Sequence, residues 1–473
     1  MFTDSKRVIT SHTKSGFEKP LLLLDPVDGL PTEVVVEIWR ICIAEEARDM
    51  QGNPPFPFVA SSVSRRWRKL ALTTSPLWTN VYIDRYSKLG PVQLQLARSG
   101  RCLLDLVIYF VSDPEEPIES VYACEPLIRD FMHRVATHAD RWRSLDFTIY
   151  GARSDHGERN IDTALAPLRN LKAPFLNELS LTLCFEYPRC GPLFTGGTPA
   201  LDTLYLNGLD MRGIRNLFTR LTVLEITEVP LARRPTFNEF LANLRACSES
   251  LEHLSISGPC FLPPPAFPLS KARVIFPSLV SLSLSFGDEA WDRTMEEAFI
   301  VSAFFNSVSS PRLQDLALAD LSHLGAEAVI AAHDDFAVFP SLSNLSLRNV
   351  NVLHPEHERD PSLPFLLCFP MVDTLELVGG DGARLLACLM SNEWITYRGP
   401  VQPGLRLKTL VCARISPPCD LYLLHQFIAD RQAAGHAIAT LYVDRPAFDK
   451  TDSVILKRLC GQADVVLESY LEP

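Results

Sequence analysis

Apolar residues before position 80 recur at helical intervals, whereas from about residue 140 onward they alternate inside a phrase that keeps returning. In the first region Val34, Ile38 and Ile41 follow i, i+4, i+7 spacing, with Val35, Trp39 and Cys42 forming a second stripe beside them. Leu30-Pro31-Thr32-Glu33 supplies the helix start, because proline suits the first helical position and an early glutamate is favoured by the helix dipole. Two apolar stripes on one helix imply two partners. Gly52, Pro54, Pro55 and Pro57 interrupt the pattern and predict a loop over Asp49 to Phe58. A second helix is expected from about Pro57 to Leu72, with Val59, Val63, Trp67 and Leu70 on its apolar side. Arg65, Arg66, Arg68 and Lys69 fill its wet faces. Ser75 to Trp78 reads as a turn into a strand at Val81-Tyr82-Ile83.

The recurring phrase is Pro-x-Leu-x-x-Leu-x-Leu, as in Pro174/Leu176/Leu179/Leu181, Pro199/Leu201/Leu204/Leu206 and Pro340/Leu342/Leu345/Leu347. Copies without the proline include Leu221/Leu224/Ile226, Leu407/Leu410/Cys412 and Ile438/Leu441/Val443. Their spacing varies between about 20 and 35 residues, within the range of leucine-rich repeats. The leucines of Leu-x-Leu point to one side of a strand, so each copy presents an apolar face that only a neighbouring copy can bury. Amphipathic stretches at Asn238 to Cys247, Met295 to Val308, Ala383 to Met390 and Leu421 to Gln432 lie between the strands, so the strands should be parallel. Leu103 to Ile108 and Leu145 to Ile149 read as early, degenerate strands, and Pro126 to Ala139 as a helix between them.

A hydrophobic content of 47% permits a well-packed core, and a net charge of -11 disfavours general binding to phosphate backbones. No segment approaches the ~20 apolar residues of a membrane span, and the run Leu21 to Leu24 is too short for a secretory signal. The cysteines form no C-x-x-C pair, which points to small buried residues in a reducing compartment, cytoplasmic or nuclear. His354-x-x-His357 with Glu356 and Glu358 lacks the spacing and third ligand of a zinc site and is read as an exposed loop. Pro259 to Pro268 is read as a stiff loop between repeats, and the carboxylates Glu296-Glu297 and Asp334-Asp335 as solvated. No G-x-S-x-G, P-loop, G-x-G-x-x-G or H-E-x-x-H motif occurs, and neither an enzymatic activity nor a metal or cofactor is expected.

Leu30-Pro31-x-Glu33, Ile38, Val63-Ser64-x-x-Trp67-Arg68-x-Leu70-Ala71 and Pro76-Leu77-Trp78 together resemble the F-box, and the later phrases resemble the leucine-rich repeats that often follow one. The proline-rich insertion around Asn53 to Pro57 departs from the F-box pattern. The expected organisation is α/β: a flexible leader over 1–25, a helical F-box over 26–80, and an irregular leucine-rich-repeat solenoid over 81–473 with parallel strands on one face and helices or loops on the other. Regular repeats place Asn or Cys three residues after the last leucine, whereas Leu209, Gly287, Leu321, Val350 and Gly380 stand there and only Cys184 fits. An arc of variable curvature is therefore expected.

The resemblance implies a substrate receptor of an SCF-type ubiquitin ligase, docking a Skp adaptor and through it a cullin scaffold, with an unidentified protein substrate on the repeats. Leu30, Pro31, Val34 and Ile38 would contribute to the adaptor face, with Val63, Trp67, Leu70 and Trp78 divided between that face and the box's own core. On the repeats, the residue between the last two leucines should face outward. Of these, Tyr205, Glu225, Glu376 and Tyr442 are the candidate substrate contacts: the glutamates give the row a slight acidic lean, and the tyrosines are the best anchors because interface hot spots favour Tyr, Trp and Arg. The alternative is a scaffold whose F-box-like helices pack against its own repeats and recruit nothing. It differs in one observable, since the Val34 and Ile38 stripe would then be covered.

Overall fold

Each described Leu-x-Leu phrase forms a short strand whose two apolar side chains lie on the same side. The computed structural model describes residues 29–46, 54–111, 118–150, 164–183, 191–263, 273–287, 296–332, 339–353, 361–390, 406–414, 421–444 and 464–468. Two units divide the chain, Met1–Leu77 and Trp78–Pro473. The leader, the loop around Asn53, the His354 to Glu358 segment, Cys184 and Asp334-Asp335 lie outside the described residues.

The second unit is α/β. Its strands are β1 (Asn80–Asp84), β2 (Leu104–Val111), β3 (Trp142–Tyr150), β4 (Glu178–Leu183), β5 (Thr203–Asn207), β6 (Val223–Thr227), β7 (His253–Ser257), β8 (Val274–Ile275), β9 (Ser281–Ser285), β10 (Val308–Ser309), β11 (Asp315–Ala319), β12 (Asn344–Arg348), β13 (Thr374–Val378), β14 (Thr409–Ala413), β15 (Thr440–Asp444) and β16 (Asp464–Glu468). Among the described residues, β8 and β10 pair with each other, and the others form one 14-stranded sheet in chain order. All its pairings are parallel, as crossovers on one side require.

The register is the repeat made visible. Leu179, Leu204, Leu224, Leu254, Leu282, Leu316, Leu345, Leu375, Leu410 and Leu441 stand opposite one another in a single buried row. A second buried row runs two residues further on, from Ile83 through Leu181 and Leu284 to Val443. Full burial of one such side chain contributes roughly 2 kcal/mol relative to leaving it in water. Helices α4 (Leu89–Arg98), α5 (Ile118–Ala136), α6 (Phe237–Cys247), α7 (Glu296–Ser307), α8 (His323–Ala332), α9 (Ser362–Leu367), α10 (Gly382–Met390) and α11 (Leu421–Ala433) occupy crossovers. Their apolar residues, such as Phe240, Phe304 and Leu385, join the same core. Burial pushes the thiols of Cys247, Cys260 and Cys368 up to about 12, so these are packing groups and not nucleophiles.

Two backbone devices recur at the strand ends. Just before β4 to β7, β9 and β11 to β14 one carbonyl accepts two amides of the next copy. Asn177 takes those of Asp202 and Thr203 at 2.9 and 3.0 Å, and Gln314 takes those of Ser343 and Asn344 at 3.0 and 2.8 Å. Just after the strand the chain often turns through a left-handed residue, as at Gly208, Glu228, Gly258, Asp320, Asn349, Gly379 and Arg414. The Gly208 position also needs the missing side chain, since a Cβ there would lie 2.2 Å from the Leu183 carbonyl oxygen. The next residue is often apolar and buried, as at Leu209, Leu321 and Val350. This explains the absence of the expected Asn: the turn is closed by an apolar side chain.

The expectation of solvated carboxylates at Glu296-Glu297 is corrected for Glu297, which is buried and accepts the Ser322 N–H at 2.8 Å just ahead of α8. Glu296 pairs with the buried Arg234 at 3.4 Å.

In the first unit α1 spans Thr32–Glu46, and the Pro31 carbonyl accepts the Val35 N–H at its start. The single helix expected from Pro57 to Leu72 is instead two, α2 (Phe56–Val63) and α3 (Arg65–Thr73). Ser64 is the reason. It leaves helical geometry for an extended conformation, and its hydroxyl accepts the Trp67 N–H at 3.1 Å, capping α3.

Candidate interaction surfaces

In the first unit, the helix break decides which apolar side chains meet. Trp39 of α1 is buried against Trp67 of α3, with ring centroids 5.0 Å apart, and against Phe56 of α2 at 6.1 Å. Val35 is buried with it. The Arg66 guanidinium donates to the Leu30 carbonyl at 2.8 Å, and Arg68 donates to that of Ser61 at 2.8 Å, so the basic run ties the helices together while staying exposed.

The other stripe of α1 is left outside. Val34, Ile38 and Ile41 are 42%, 45% and 56% exposed, and Val59 and Val63 of α2 are exposed as well. Of the predicted adaptor-face residues, Pro31, Val34, Ile38 and Val63 are exposed, while Leu30, Trp67 and Leu70 are half-buried. Trp78 is a correction. It is completely buried and belongs to the second unit, where the Arg98 guanidinium lies 4.5 Å from its ring centroid. A side chain with no exposed surface has none to offer a partner.

On the second unit, the outward residue of each strand forms one row. Asp146, Ser180, Tyr205, Glu225, Ser255, Ser283, Ala317, Ser346, Glu376, Val411 and Tyr442 stand in register across β3 to β15. The candidate contacts Tyr205 and Glu225 are direct neighbours on β5 and β6. Glu376 lies five strand steps from Glu225, about 24 Å at ~4.8 Å per strand. Its carboxylate is already engaged by Arg348 at 3.3 Å and by the Ser346 hydroxyl. Tyr442 is further on, beside Val411.

The sequence reading missed the positions two residues before and after this row, which face the same way by the strand period. Glu178 is one; together with Glu225 it flanks Tyr205, whose hydroxyl is shifted upward first by burial and then by those two carboxylates. Tyr82 repeats the arrangement, raised by burial, then by Asp84 and Tyr109. Arg143 is held by Asp105, and this bond raises its guanidinium further.

The chain matches no protein-family model and no curated protein. Among the described residues, no group of three or more His, Cys, Asp or Glu is placed to hold a metal ion, and no helix is long and apolar enough to cross a membrane.

Proposed function

We propose that this protein is a substrate receptor of an SCF-type ubiquitin ligase, with an F-box-like first unit that docks a Skp adaptor and a leucine-rich-repeat-like second unit that holds a protein substrate. The observation that carries this reading is the division of α1. Val35 and Trp39 enter the small core that α1, α2 and α3 share, while Val34, Ile38 and Ile41 stay in water. A contiguous apolar stripe kept in solvent is unfavourable unless a partner takes it up. The alternative, an interaction scaffold whose helices bind their own repeats, calls for the same stripe to be covered. The in-register outward row, free of apolar burial duties, supports the substrate role of the second unit.

The test is copurification of the intact chain with a Skp adaptor and a cullin, beside a Val34→Ala/Ile38→Ala variant whose circular dichroism is unchanged. Truncating hot-spot side chains costs about 2 kcal/mol or more each. Adaptor binding by the natural chain that is lost in the folded variant is the expected result. Absence of adaptor binding by the natural chain would sink the receptor reading and leave the scaffold.

A further inference from the structure

The outward carboxylates of the sheet are satisfied unevenly. Toward the C-terminal end, Glu376 is met by Arg348 at 3.3 Å, Asp373 by Lys408 at 3.2 Å, and Asp315 by the Asn344 amide. From β3 to β6, Asp146, Glu178 and Glu225 make no ion pair among the described residues. The basic side chain at an outward position of β1 to β6 is Arg143, and Asp105 has already taken it. The same stretch carries the aromatic outward residues Tyr82, Tyr109 and Tyr205, with Tyr109 44% exposed. This face thus combines unneutralised negative charge with tyrosine rings, and the rest of the row is mostly Ser, Ala and Val.

We propose that the sheet face from β1 to β6 is a docking site for an extended polypeptide segment bearing lysine or arginine, its cations set against Asp146, Glu178 and Glu225 and its stems lying over the tyrosines. The inference rests on the reading that the outward face receives the substrate, and it names that substrate's chemistry. Complementary charge selects the partner and speeds encounter. A guanidinium or ammonium over a tyrosine ring adds cation–π attraction, and a fixed aromatic surface costs little entropy to present. Five strand steps span about 24 Å, which an extended segment of about seven residues crosses at ~3.3 Å each. Nucleic acid and acidic or phosphorylated segments are repelled by the same charges.

The experiment is fluorescence anisotropy of the intact chain with a labelled ten-residue peptide alternating lysine and serine, beside the peptide with glutamate in place of lysine. The variants are Glu178→Gln/Glu225→Gln, which keeps shape and removes charge, and Glu249→Gln, an exposed position beyond the end of α6 and outside the outward row, as a control. The expected result is binding of the lysine peptide alone, weakened about tenfold or more by the double substitution and by added salt but not by the control. Equal binding to the double variant, binding of both peptides alike, or no lysine-peptide binding up to about millimolar concentration overturns the proposal. Adaptor copurification is scored on the same preparations. Peptide binding that fails while adaptor binding persists removes the basic-segment inference and leaves the receptor reading standing, and the converse removes the receptor alone.

Discussion

In the second unit the described leucines of the repeated phrase are covered by their own chain, while in the first unit α1 buries Val35 and Trp39 and leaves Val34, Ile38 and Ile41 in water. The chemistry of the side chains is the same in both places. What differs is the supply of covering surface. A parallel repeat brings the next copy alongside at each crossover, so every apolar row finds a neighbour. Among the described residues, the three helices of the first unit have no further copy to offer, and one stripe remains open. An exposed apolar residue is therefore informative in the first unit in a way it would not be if the unit were larger.

The contrast can be broken or sharpened by substitution. Leu282→Ala, in the fully buried row of β9, should cost about 3 kcal/mol and lower the urea midpoint of unfolding with its slope unchanged. A smaller effect is expected at the start of α6, where the Thr236 hydroxyl and backbone N–H meet the Glu239 carboxylate at 3.0 Å in a capping box. Thr236→Ala should cost about 1 kcal/mol at neutral pH. Those hydrogen bonds, first the backbone one, hold the Glu239 carboxyl below its usual range. Its contribution is therefore full above the unfolded pKa of about 4.3 and lost as the pH falls through the lower folded value, so the gap between parent and variant should narrow in acid. Urea titrations at neutral pH and near pH 3 would reveal it; a gap independent of pH would assign the cap's effect to the hydroxyl alone. The smallest effect is expected for Ile38→Ala, within about 0.5 kcal/mol in the isolated chain, because its side chain is solvated. A loss approaching that of Leu282→Ala would mean the stripe is core, and the comparison would fail.

The strands were legible because Leu-x-Leu fixes both their position and their buried face, and the register then follows from matching rows. The long amphipathic crossovers were legible for a similar reason: Asn238 to Cys247 and Ala383 to Met390 correspond closely to α6 and α10. Less visible were α4, whose Gly90 and Pro91 resemble a loop, and α8, which is apolar almost all round. β16 escaped notice because its phrase lacks the leucine spacing. The break at Ser64 was written in the sequence as a serine three residues before Trp67, but uninterrupted apolar spacing on either side concealed it. At the outward face, Tyr205 and Glu225 were found by position in the phrase. Glu178, Tyr82 and Tyr109 required knowing which strand ends lie side by side. Trp78 was misassigned because a tryptophan after a proline turn reads the same whether it closes one unit or opens the next.

The paired amides on each pre-strand carbonyl carry a consequence for how such a chain can change. From β5 to β15 the strands of the large sheet are pinned at their starts by the preceding copy, and most are released through a left-handed turn at their ends. A single residue gained or lost inside a strand would turn its leucines to the water and unpick both attachments at once. The segment between one release and the next pinning is bound by neither, and its length costs only a slowly growing loop entropy. Insertions and deletions should thus accumulate in the crossovers and spare the strands, so that the outward row can keep its order while the far side of the molecule diversifies.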